Sequence, residues 1–160
     1  MRWFRFALLL IVAAIIQAGF ADARYKPDIL LILMSFSSIY SKTNDAIITS
    51  FLIGLACDLI GPAVGAGIIS FGLLGSFLSY LNRVITIRRM PYQAVTIFIM
   101  GLLTGLSINF LNRFKSLPFN QDIYITILWT SLLSAVVGPL LFLPAAWWLR
   151  IDTTGRKRTR

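Results

Sequence analysis

The stretch KPDILLILMSFSSIYSK, residues 26–42, holds one apolar segment between two lysines. Five more apolar segments fill almost all of the rest of the 160-residue chain, with short polar gaps between them. Such runs are typical of transmembrane helices. We predict six helices, at about 3–20, 28–40, 46–60, 63–81, 92–112 and 123–149.

Positive charge lies mainly in alternate gaps between these segments. If Met1 lies in the cytoplasm, eleven of the fifteen lysines and arginines face the cytoplasm and four face the other side. This asymmetry sets the orientation of membrane proteins. The pattern predicts an all-α integral membrane protein, a bundle of six transmembrane helices with both termini in the cytoplasm.

The composition excludes several other classes of protein. A chain with 58% hydrophobic and 13% charged residues has too little polar surface for a soluble domain. It contains no histidine and no glutamate, so common metal ligands and acid–base groups are missing. We therefore expect no metal and no cofactor. The net charge of +9 lies beside membrane segments, which favours anionic lipid headgroups over nucleic acid as partners.

Two parts of the predicted topology leave alternatives open. The first segment also fits a signal peptide, because Arg2 and Arg5 precede an apolar run and the small residues of Ala21–Ala23 could form its cleavage site. The segment at 28–40 would rise only about 20 Å as a helix, less than the hydrocarbon core of about 30 Å. We favour the interpretation that this segment and the one at 46–60 both cross the membrane, in a region that is thinned or shielded by protein. The alternative is a re-entrant pair that enters and leaves the membrane on one side.

The end of the chain differs from the rest in composition. We predict a single transmembrane domain over residues 1–150 and a basic cytoplasmic tail over 151–160. The tail residues are candidate contacts for anionic lipid, and a plain topogenic signal is an equally good interpretation. These residues are Arg156, Lys157, Arg158 and Arg160.

Small and polar residues recur at helical spacing on three segments. In lipid, such residues let helix backbones approach closely. We predict that they pack helices within the chain, with docking of a partner's helix or a homodimer as the alternative. The sets are Ser50, Gly54, Asp58, Gly61 and Gly65; Gly72, Ser76, Ser79 and Arg83; and Gly101, Gly105, Asn109 and Asn112.

Asp58 is unusual because a carboxylate within an apolar segment must be paired, protonated or hydrated. On the predicted topology it lies near the outer face, at the same level as Asp28. One interpretation is an outward-facing polar site formed with the turn at 61–65. The other is structural, with Asp58 accepting hydrogen bonds from backbone amides in that turn and Asp28 capping the second helix behind Pro27.

The runs KPDILL at 26–31 and GLACDL at 54–59, followed by Gly61-Pro62 and Val64-Gly65, resemble the rod shape-determining protein MreD family. The close resemblance covers about residues 25–80, and the rest matches in hydropathy. Pro27, Asp28, Asp58, Gly61, Pro62 and Gly65 match the family's pattern.

The resemblance implies a non-enzymatic scaffold in the bacterial inner membrane, part of the machinery that synthesises peptidoglycan during cell elongation. Its implied partners are an MreC-like protein, the RodA glycosyltransferase, a penicillin-binding transpeptidase and, indirectly, MreB filaments. The family's bundle has been likened to the substrate-binding subunits of energy-coupling-factor vitamin transporters. A small-solute or vitamin-binding transporter subunit is the alternative function, and an aspartyl enzyme using Asp28 and Asp58 is a weaker one.

Overall fold

The computed structural model describes residues 3–20, 26–61, 65–84, 90–114 and 122–149. Every regular element in these ranges is a helix, which confirms the predicted all-α class. The helices are α1 (Trp3–Gly19), α2 (Ile29–Tyr40), α3 (Thr43–Ile60), α4 (Ala66–Val84), α5 (Met90–Phe114) and α6 (Ile123–Leu149). The main differences from prediction are that α3 begins earlier, at Thr43, and α4 later, at Ala66.

Helix α2 lies at the centre of the bundle and packs against each of the other five helices. Every residue from Leu30 to Ile39 is buried. The outer helices contact one another in the order α1, α3, α4, α5, α6 and back to α1, so they form a ring around α2. The weakest contact in this ring is the one between α1 and α6.

The central position of α2 explains how so short a helix can lie in a membrane protein. Its 12 residues rise about 18 Å, against a hydrocarbon core of about 30 Å. Because protein surrounds α2 on all sides, its ends can lie within the depth of the membrane without contacting lipid. The prediction that α2 crosses the membrane remains a prediction.

Three of the described helices are long and apolar enough to cross a membrane, namely α3, α5 and α6. Helix α6 continues through both Pro139 and Pro144. Helices α1, α2 and α4 contain shorter apolar stretches. Of these, α1 is held by a narrow face, since only Phe6 and Ala13 are buried along it.

Small residues sit where helices approach most closely. A Cβ atom added to Gly54 of α3 would lie 2.7 Å from the Cα of Ile68 and 2.8 Å from the carbonyl oxygen of Gly67, both in α4. Gly72 lies against the Phe51 ring. On α5, a Cβ at Gly101 would lie 2.7 Å from the Ser131 Oγ, and one at Gly105 would lie 2.7 Å from Ile127.

These four glycines therefore lie at helix contacts within the chain. The GxxxG pair of α5 packs against α6 within the chain. The homodimer remains a prediction. Asn109 is half-buried on α5. The pattern Ala21–Ala23, considered as a cleavage site, lies outside the described residues.

The close approach of α3 to α4 gives a test of the packing. We expect Gly54→Ala to lower the melting temperature of the detergent-solubilised protein, because the added methyl group meets backbone atoms that cannot move independently. Overpacking of this kind costs about 1–3 kcal/mol.

The matched control is Gly19→Ala, since nothing lies within 4 Å of a Cβ atom at Gly19. A Gly54→Ala protein as stable as the Gly19→Ala protein would contradict the observed α3–α4 contact.

Candidate functional site

Asp58 of α3 binds the beginning of α4 through three backbone amides. Its Oδ2 accepts hydrogen bonds from the N–H of Gly65 at 2.7 Å and of Ile68 at 3.0 Å, and its Oδ1 accepts one from Gly67 at 2.6 Å. The first N–H groups of a helix have no partner within the helix, and the helix dipole favours a negative charge there. Asp58, only 4% exposed, therefore caps α4 from the preceding helix.

Two glycines make this contact possible. Gly65 has a φ of 101°, a conformation that L side chains rarely adopt. A Cβ atom at Gly67 would lie 2.6 Å from the Asp58 Oδ1, so a side chain there would push the carboxylate away. Gly61 follows α3, and its N–H donates to the Cys57 carbonyl at 2.9 Å. Pro62 lies outside the described residues.

Asp28 caps the beginning of α2. Its Oδ1 accepts a hydrogen bond from the Leu31 N–H at 3.1 Å. Its own N–H donates to the Ser134 Oγ of α6 at 2.7 Å, and the Ile29 N–H donates to the Gln17 Oε1 of α1 at 3.0 Å. Pro27, immediately before, has no N–H that would need a partner.

The two carboxylates lie at the same end of the bundle: α2 and α3 pack together and are joined by residues 41–42 alone, and Asp28 precedes α2 while Asp58 lies near the end of α3. Each is occupied by backbone amides of a different helix, and no hydrogen bond among the described residues links Asp28 to Asp58. This is the hydrogen bonding expected from the structural interpretation. The geometry gives no support to an aspartyl dyad, which requires two carboxylates sharing one proton.

The other end of α2 is also held by side chains from the ring. The Asn82 Nδ2 of α4 donates to the Ile39 carbonyl at 2.7 Å, and the Ser38 Oγ donates to the Gly75 carbonyl at 3.1 Å. The Gln93 Nε2 of α5 donates to the Tyr40 hydroxyl at 2.7 Å. The Tyr40 ring in turn contacts Phe142 of α6, with centroids 6.0 Å apart.

Beside this end of α2 lies a polar cavity of about 510 Å³. Its volume is in the range of small-molecule sites, about 300–1,000 Å³. No group of three or more metal-ligating side chains exists in the described part of the chain. The lining residues are Ser38, Ser41, Lys42, Thr43, Asn44, Asp45, Ser79 and Asn82.

Sequence reasoning missed the polar residues that hold α2, which are Gln17, Asn82, Gln93 and Ser134. The available signal was an isolated amide or hydroxyl on an apolar helix, because such a group needs a hydrogen-bond partner inside the membrane. The predicted lipid contacts at Arg156, Lys157, Arg158 and Arg160 lie outside the described residues.

The capping role of Asp58 leads to a second prediction. In Asp58→Asn, one carboxylate oxygen becomes an NH₂ group, which cannot accept from an amide. We expect a loss of about 2 kcal/mol in stability, since hydrogen bonds to charged groups contribute about 1.5–3 kcal/mol. Thermal unfolding of the purified protein, followed by circular dichroism, measures the change.

The unaltered protein is the reference for this change. Equal melting temperatures for the Asp58→Asn and unaltered proteins would show that Asp58 does not stabilise the start of α4.

A family model described as rod shape-determining protein MreD matches residues 1–151 of the chain. The comparisons found no matching curated protein and no matching solved structure. The family match covers nearly the whole sequence, and the six apolar helices fit a membrane protein. The chain therefore belongs to the MreD family of rod shape-determining membrane proteins.

Proposed function

We propose that this protein is a non-enzymatic scaffold of the bacterial cell-elongation machinery, located in the inner membrane, and that it binds the transmembrane or near-membrane part of an MreC-like partner. The observation that carries the proposal is the family match over residues 1–151, which supports a role in rod-shape determination. Through the MreC-like protein the scaffold would keep RodA, its penicillin-binding transpeptidase and the MreB filaments together.

The distribution of polar groups supports a binding role. The Asp28 and Asp58 carboxylates and the Gln17 and Asn82 amides bond to groups within the chain. The outer faces of the ring are apolar; α5, for example, exposes Val95, Ile99, Leu103, Leu106 and Phe110 along its length. In lipid, helices associate through such side-chain packing and not through burial from water. A partner helix could thus bind without any further polar contact.

A small-solute-binding transporter subunit is the second candidate, favoured by the polar cavity of about 510 Å³. The cavity lies where α2 ends and α3 begins, beside Lys42. The predicted topology puts that end in the cytoplasm, whereas a subunit that captures solute from outside needs an outward-facing site. For this reason the scaffold is the better proposal.

Site-specific photocrosslinking in native membranes tests the scaffold. A photoreactive residue would replace one outward side chain on each ring helix: Ile15, Leu55, Leu73, Leu106 or Leu132. We expect at least one of these positions to form a cross-link to the MreC-like protein. Ile53 and Ile97, both fully buried, are the controls and should form none.

Mild-detergent purification followed by mass spectrometry gives the complementary readout. We expect the MreC-like protein, RodA and the transpeptidase to co-purify, and we expect deletion to round a rod-shaped host. Recovery of ATP-binding-cassette ATPases with a coupling subunit, and of no elongation proteins, would contradict the scaffold function and favour the transporter-subunit function. Normal rods after a clean deletion would also contradict the scaffold.

A further inference from the structure

An apolar groove of about 440 Å³ lies between α1 and α6, at the weakest contact of the ring. Leu8, Val12 and Ile16 of α1 form one wall, and Phe142 and Ala145 of α6 form the other. Its floor is α2, through Ile32, Leu33 and Phe36. All of the residues that line it are aliphatic, aromatic or proline.

The contents of this groove follow from its surroundings. The rim is open, since Leu8, Val12 and Ile16 are each more than one-third exposed. A buried water needs two to four polar partners, which an apolar lining does not offer. In a membrane protein the medium that reaches such a groove is hydrocarbon, so an apolar chain is the occupant that its chemistry favours.

The groove is long enough to hold part of a hydrocarbon chain. From Leu8 to Ile16 it follows α1 for about 12 Å. A single acyl chain, which is much narrower than a helix, can lie along this length.

The distribution of basic residues indicates how a bound lipid would be oriented in the groove. At one end of the groove α1 begins and α6 ends, and seven basic residues but only one acidic residue flank that end in sequence. The basic residues are Arg2, Arg5, Arg150, Arg156, Lys157, Arg158 and Arg160, and the acidic one is Asp152. At the opposite end the charges balance: the sequence after α1 carries Arg24 and Lys26 with Asp22 and Asp28, and the sequence before α6 carries Lys115 with Asp122. Clusters of basic residues next to a membrane helix attract anionic headgroups.

We propose that the groove between α1 and α6 binds one acyl chain of an anionic phospholipid, with the headgroup at the end where α1 begins and α6 ends. The lipid would fill the weakest contact of the ring and connect α1 to α6 across the surface of α2.

Native mass spectrometry of the full-length protein tests this site. The protein would be reconstituted in vesicles containing equal amounts of phosphatidylglycerol and phosphatidylethanolamine and then released in mild detergent. We expect the unaltered protein to retain one phosphatidylglycerol. Val12→Trp should reduce the occupied fraction at least tenfold, because the indole would fill the groove.

Ile11→Trp is the matched control. Ile11 is 57% exposed and Val12 is 48% exposed on the same helix, but only Val12 lines the groove. We expect Ile11→Trp to retain the lipid. Leu8→Trp, also at a lining position that is 42% exposed, provides a second variant if Val12→Trp does not fold.

The headgroup is tested separately with the double variant Arg5→Gln and Arg150→Gln. It should lose the preference for phosphatidylglycerol over phosphatidylethanolamine while still binding a lipid. Equal lipid retention by the Val12→Trp, Leu8→Trp and Ile11→Trp proteins would overturn the site. So would an unaltered protein that carries no lipid and cross-links through position 12 to a partner's helix.

Discussion

The arrangement of the bundle depends on one requirement: the polar groups at both ends of α2 must find partners inside protein. An isolated helix of 12 residues is only marginally stable, and lipid cannot hydrogen bond to its free N–H and C=O groups. Here the partners come from the surrounding ring. Gln17 of α1 and Ser134 of α6 bind the first amides of this segment, and Asn82 of α4 binds a carbonyl near its end. The hydrogen bonds to the polar groups of α2 therefore set the positions of α1, α4 and α6 relative to it.

The contact between α3 and α4 adds a second constraint of the same kind. Asp58 supplies acceptors for three amides at the beginning of α4, and Gly54 lets the two backbones approach. An unpaired carboxylate inside a membrane costs a few kcal/mol, and the hydrogen bonds that Asp58 accepts at the beginning of α4 offset such a cost. Asp58 thus stabilises the turn where the chain reverses.

Hydropathy was sufficient to predict six helices, because each apolar run is bounded by charged or turn-forming residues. It could not predict that α2 is the centre. In a soluble protein, a helix that is apolar all round is buried, but in a membrane lipid can cover the same surface. The missing information was the position of the polar groups. Asp28 and Asp58 accept hydrogen bonds from amides a few residues along the chain, so these partners could be predicted from the sequence. The partners of Gln17 and Asn82 lie on other helices, so they could not be predicted without the arrangement of the bundle.

The same arrangement limits how the protein can act on others. The carboxylates of Asp28 and Asp58 accept hydrogen bonds from the amides of two different helices, and no hydrogen bond in the described part of the chain joins one carboxylate to the other. What the ring presents outward is apolar side chains over most of its length, with basic charge concentrated in the sequence beyond the start of α1 and the end of α6. In the proposed scaffold, recognition of partners would come from the shape of the apolar faces and from charge at the membrane surface. Such a scaffold needs only those two properties, since its proposed effect lies in where it holds its partners.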